Sequence, residues 1–246
     1  MRNSHFAIVL LVLLLSVSIH RACAALNELS SRRAVLQTSF GDLHLGFYPR
    51  AAPKTTALIT ELLRLGCYNT NHFFRVDKGF VAQVAGVEGN VLYELNEEQR
   101  KYARQTVPLE VHAELKHDRA GLLSLARHDD PNSGGSSFSI MLGPAPHLDM
   151  NYAIFGEVTK GLETLRSMEA VETTRDGIFV MPVERITIHS TYMYDEPTGV
   201  EPNATLESTV KEGEETKEGL AKGSSAAPSC AADIVSALKA VRQELV

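Results

Sequence analysis

The sequence predicts a mainly β domain, closed into a barrel with two helices over its open ends and followed by a tail of different character. Three observations carry this. Short apolar segments with the two-residue alternation of strands recur from Leu36 to Tyr194. Only two stretches in that span keep a clear helical stripe, and many short strands with few helices favour closure over an open sheet. After residue 195 the large apolar side chains all but vanish until residue 230.

The elements follow in order. In GDLHLGFY, Leu43, Leu45 and Phe47 alternate with Asp42, His44 and Gly46, which gives one apolar and one polar face, and Phe40-Gly41 makes the preceding turn. Pro53 opens a helix near its first position. Leu58, Leu62 and Leu65, spaced four and three apart, mark its buried stripe, and Gly66 stops it. HFFRV, FVAQV, GLLSLAR, SSFSIML, YAIFGEV and ERITIHSTYMY read as further strands. Between them YELNEEQRKYAR, residues 93–104, is charged and reads as a short surface helix or loop with a solvated face. A second helix runs from Gly161 to Ala170 with Leu162, Leu165 and Met168 facing inward.

The ends differ from this core. Residues 1–24 combine Arg2, an unbroken apolar run from Phe6 to Leu15 and the small-residue site Ala22-Cys23-Ala24, the pattern of a cleavable secretory signal peptide. The apolar run is short for a membrane span, which needs roughly 20 residues. A secretory-pathway protein is therefore expected, in the endoplasmic reticulum lumen or secreted. Residues 195–229 read as a flexible acidic linker, too poor in apolar side chains to fold. Asn203-Ala204-Thr205 within it is a glycosylation acceptor. Residues 230–246 regain a stripe, Ile234, Leu238, Val241 and Leu245, and read as an amphipathic helix that packs on the barrel, a second copy or a protein partner. Cys23 leaves with the signal segment. Cys67 and Cys230 then pair with each other, pair with another molecule or stay free.

Composition excludes several classes. A net charge of -6 argues against nucleic acid, for which a basic face is expected. No metal is expected, since His112, His117 and His128 lack ligand spacing and cysteine companions. SGGSS at 133–137 lacks the Lys-Ser/Thr of a phosphate-binding loop, and Ser124, Ser136 and Ser139 have no evident base and acid partners for hydrolysis. No cofactor is implied.

The most informative residues are FFRVDKGFVAQ at 73–83, then GLLSLAR, then PNSGGSSFSIMLGPAPHLDMNYAIFG, together with GDLHLGFYPRAAPKT at 41–55. These ordered blocks resemble the cyclophilin-type peptidyl-prolyl cis/trans isomerases over residues 34–194, and in particular divergent plant members of the secretory pathway. The resemblance implies an eight-stranded antiparallel barrel and a catalytic set of Arg75, Phe80 and Gln83. The chemistry suits those residue types. Rotating an X-Pro bond breaks amide resonance against a barrier of about 18–20 kcal/mol, and the twisted proline nitrogen recovers its lone pair. A fixed donor aimed at it stabilises the transition state more than the ground state, and a guanidinium offers several donors in a rigid, permanently charged plane.

By the same resemblance Phe80, Val81 and Leu148 hold the proline ring, while Gln83 and the backbone at Ala126 and Arg127 hold the rotating carbonyl, with Ser137 beside them. The chain departs from the family pattern at four of the positions it carries over. Ser139 stands for a pocket-floor phenylalanine, His147 for a tryptophan that contacts cyclosporin, Tyr152 for a histidine and Arg127 for an asparagine. Weak cyclosporin binding follows from His147. The expected function is X-Pro isomerisation in folding, proline-containing polypeptides. Its rival is a weakly active or inactive module of the same fold that binds proline peptides.

Overall fold

The computed structural model describes residues 26–196. The signal segment, the linker with Asn203, Cys230 and the C-terminal helix lie outside the described residues. Among the described residues there are ten strands: β1 Arg32–Thr38, β2 Gly41–Phe47, β3 His72–Asp77, β4 Val81–Val84, β5 Leu122–Leu125, β6 Phe138–Met141, β7 Ile154–Lys160, β8 Thr173–Asp176, β9 Phe179–Pro182 and β10 Ile186–Asp195. Eight of them close an antiparallel barrel in the order β1-β10-β3-β4-β6-β5-β7-β2, and β8-β9 forms a separate hairpin. The first and last strands share the closing seam, with Arg32 opposite Asp195. Leu36, Leu43, Leu45, Phe73, Phe138, Phe155 and Ile188 fill the interior.

Three α-helices are described where the sequence suggested two. Helix α1, Pro53–Arg64, buries Leu58, Ile59, Leu62 and Leu63. Its cap residue Ala52 offers no side-chain acceptor. The carboxylate of Glu110 takes over, accepting from the backbone N–H groups of Lys54 at 3.1 Å and Thr55 at 2.9 Å, where negative charge also meets the positive end of the helix dipole. At the other end Gly66 adopts φ +68, and the amides of Gly66 and Cys67 close back on Leu63 and Leu62 in a Schellman turn.

Of the two readings of the charged stretch after Tyr93, surface helix or loop, the helix is the one found: α2 spans Glu97–Ala103. Asn96 accepts from the Gln99 amide while the Gln99 side chain accepts from the Asn96 amide, a reciprocal capping box. The same Gln99 side chain donates to the Leu65 carbonyl at 2.9 Å, which fastens α2 to the end of α1. In α3, Leu162–Glu169, Leu165 and Met168 are buried but Leu162 is exposed, against expectation. Thr164 is buried with them, so the buried face lies on the Met168 side of Leu165, and Leu162, about 120° around from Met168, falls outside it.

The β8–β9 hairpin was not anticipated. Its two-residue loop begins at Gly177 with φ +58, and Ile178 does not share the positive φ. That combination is the type II′ turn that suits the twist of a two-residue hairpin.

Candidate active site

An open groove of about 1010 Å³ crosses the outer face of β3, β4, β6 and β5. A bulge between Phe73 and Arg75 creates its first wall. Strict alternation would send neighbouring residues to opposite faces, but the extra residue re-aims the strand. Phe73 and Val76 stay in the barrel core. Phe74 and Arg75 both line the groove.

Arg75 is held on three sides. Its Nη2 donates to Asp77 Oδ2 at 3.1 Å, and its guanidinium carbon lies 5.2 Å from the Phe80 ring centroid and 5.9 Å from that of Phe179. The side chain is 20% exposed. Its Nε is buried with no hydrogen-bond partner. Asp77 and Phe179 are neighbours that sequence reasoning missed; Phe179 comes from the unforeseen hairpin, more than a hundred residues along the chain.

The floor is a row of polar side chains on adjacent strands. Register places Arg75 beside Gln83, Gln83 beside Ser139 and Ser139 beside Ser124. Gln83 Nε2 donates to Ser137 Oγ at 3.3 Å, and Ser137 Oγ donates to the Val84 carbonyl at 2.8 Å. Val81, Ala126, Arg127, Ser137, Leu148 and Tyr152 also border the groove. Arg127 is immobilised: Nε donates to the Asn151 carbonyl at 2.8 Å, Nη1 to the His128 carbonyl at 2.7 Å, and the guanidinium stacks 4.9 Å from the Tyr152 ring centroid. His147 does not border the groove itself. It lies against Phe80, ring centroids 5.3 Å apart.

Ser124 does have partners, contrary to the sequence reading. His117 Nε2 is 3.0 Å from Ser124 Oγ, and His117 Nδ1 is 3.0 Å from Asp149 Oδ1, which also accepts from the His117 amide at 2.8 Å. The order resembles a hydrolase relay, but Ser124 and His117 are buried. Burial, opposed by Asp149, pushes the His117 pKa below its ordinary value and keeps the ring neutral. The arrangement serves as a strut, since Asp149 directly follows Leu148 in the groove wall and ties it to the floor. His112 is likewise engaged elsewhere, its Nε2 lying 2.8 Å from the Ala51 carbonyl. Among the described residues no group of three or more His, Cys, Asp or Glu is placed to hold a metal ion.

A family model described as cyclophilin type peptidyl-prolyl cis-trans isomerase/CLD matches residues 33–193. The chain is similar to peptidyl-prolyl cis-trans isomerase CYP23 of Arabidopsis thaliana, 60% identical over 179 residues that cover 73% of this chain and 78% of the relative. It is 34% identical to peptidyl-prolyl cis-trans isomerase cypE of Dictyostelium discoideum, over 65% of this chain and 96% of the relative. Among solved structures, a cyclophilin type peptidyl-prolyl cis-trans isomerase of Cryptosporidium parvum superposes with a TM-score of 0.58 at 27% identity, covering 69% of this chain and 100% of that one. A second structure of that protein, in the presence of the dipeptide Ala-Pro, superposes with a TM-score of 0.57 at 28% identity, covering 67% and 99%.

Proposed function

The chain belongs to the cyclophilin-type peptidyl-prolyl cis-trans isomerase family, and on that premise we propose that it accelerates X-Pro rotation in flexible or folding polypeptides, with Arg75 stabilising the twisted amide. One observation carries the assignment: the Arg75 side chain borders the groove with its guanidinium over Phe80 and is fixed there by Asp77 through Nη2. A fixed cationic donor group beside an apolar ring is what a pyramidal proline nitrogen needs. The proline ring rests on Phe80, Val81 and Leu148. Gln83 and the Ala126–Arg127 backbone hold the carbonyl of the preceding residue. The solved relative studied with Ala-Pro supports a proline-containing ligand for this groove.

Uncatalysed X-Pro isomerisation takes tens to hundreds of seconds, so an exchange measurement on a proline peptide is decisive. Arg75→Ala lowers the catalysed rate at least about tenfold, the loss expected when a transition-state donor is removed, and leaves the thermal midpoint near that of the parent. An undiminished rate overturns the mechanism. Ser139 favours a second reading, a slow isomerase or a peptide-binding module, because the groove floor carries a small hydroxyl beside Gln83 and Ser124 instead of a ring. In that case the parent binds the peptide but barely shortens its exchange time. The N-terminal segment supports a secretory-pathway location, and the C-terminal stripe supports a protein partner or self-association.

A further inference from the structure

The β8–β9 hairpin keeps apolar side chains where a solvent-facing ribbon has no folding reason for them. Ile178 at its tip is 80% exposed and Phe179 is 38% exposed. Both line the groove, as does Met181. A two-stranded ribbon outside the barrel encloses no core of its own. The hairpin is joined to the groove by an aromatic corner, in which Phe179 meets the guanidinium of Arg75 and the ring of Phe74, its centroid 5.6 Å from that of Phe74. Ile178 and Met181 extend the apolar surface beyond that corner.

The barrel order gives a bound peptide its direction. With the carbonyl of the residue before proline held by Gln83 and the Ala126–Arg127 backbone, that residue lies toward β5. The order β3-β4-β6-β5 puts Arg75 and the hairpin on the opposite side of the proline pocket. A peptide that enters over β5 and seats its proline on Phe80 and Val81 must leave over β3, where the next side chain meets the ribbon. We propose that Ile178, Phe179 and Met181 form a subsite for a large apolar side chain, aromatic or branched aliphatic, on the residue that follows proline. This rests on the isomerase reading above and narrows its substrate class. The apolar area of the ribbon is continuous with the groove and is covered once such a residue is seated, which rewards Phe or Leu over Gly at that position.

The test uses the full chain and three peptides alike except at the central residues: Ala-Pro-Phe, Ala-Pro-Gly and Phe-Pro-Gly. Exchange rates give kcat/KM and titration gives Kd. The parent prefers Ala-Pro-Phe over Ala-Pro-Gly about tenfold, a typical return for one apolar pocket. In the double variant Ile178→Ser, Met181→Ser that ratio falls below about threefold, with a thermal midpoint close to the parent's. A ratio unchanged in the variant overturns the subsite, as does a parent that handles Ala-Pro-Phe and Ala-Pro-Gly equally. A preference for Phe-Pro-Gly that the variant loses overturns the direction of the peptide and the proposal with it. A parent that neither isomerises nor binds any of the three overturns the isomerase reading and the subsite together, and is thereby distinct from failure of the subsite alone.

Discussion

Replacing Asp77 by asparagine tests what the carboxylate does to Arg75. Asp77 has two opposed effects. Its oxygen at 3.1 Å fixes the orientation of the guanidinium, and its negative charge opposes any electron density that returns to the proline nitrogen. Asparagine keeps an acceptor of the same shape and removes the charge; alanine removes both. With the guanidinium between them, carboxylate and proline nitrogen sit roughly 7 Å apart, and a full charge at that distance interacts by about 2.4 kcal/mol at an effective dielectric of 20. Only a fraction of a charge moves on twisting the amide, so about 0.5–1 kcal/mol of barrier is at stake, or a two- to fivefold rate. Asp77→Asn is therefore expected to isomerise Ala-Pro peptides two to five times faster than the parent, and Asp77→Ala more slowly, as Arg75 loses its tether. Peptide exchange at matched ionic strength measures both. If asparagine slows the enzyme as much as alanine does, the carboxylate acts through its charge in positioning Arg75, and the competition argument is refuted.

Two further outcomes are expected. Burial pushes the Cys67 thiol up to about 11 from an ordinary 9.0, so in the folded protein it stays unreactive toward an aromatic disulfide reagent at pH 8 and reacts at once in denaturant; rapid labelling of native protein at Cys67 would contradict the buried placement. The sign for stability follows: the contribution of the neutral thiol is fully present below about 9 and is lost as pH climbs through about 11. Cyclosporin is expected to bind weakly, since His147 supplies a smaller ring against Phe80 than tryptophan would, and His147→Trp is expected to tighten it; titration that finds tight binding by the parent, or no gain in the variant, contradicts the placing of His147 at the tryptophan position.

Most of the barrel was legible because its strands are half-buried and alternate, as Leu43, Leu45 and Phe47 do. The β8–β9 hairpin was not, since in VETTRDGIFVMP the first strand, TTRD, is polar throughout and the apolar residues Ile178 to Met181 run consecutively, so neither strand alternates. Its one clear sign was Gly177, at the first loop position of a two-residue turn between two short extended runs. Helix α2 was one of two readings left open for its charged stretch, and Asn96 and Gln99 at capping-box spacing marked its start. Within the groove, the resemblance singled out Arg75, Phe80 and Gln83, whose side chains the structure brings to one surface. What contacts them was invisible for a topological reason. Asp77 is the exception, since two residues beyond Arg75 in β3 it shares that face by ordinary alternation. Phe179, Ser124, His117 and Asp149 reach the site from distant segments, and no local pattern records which strand will lie beside which.

The seam between β1 and β10 has a consequence for how the molecule is made. Strand β1 emerges first from the ribosome and finds β2 at once, but its other edge waits for residues 186–195. At a synthesis rate of about 5–20 residues per second that interval is roughly 7–30 s. Throughout it a row of unpaired N–H and C=O groups stays available to any passing strand. Closure, with its large loop entropy, is thereby deferred until β10 has been made. For that interval the barrel is an open sheet with one adhesive edge.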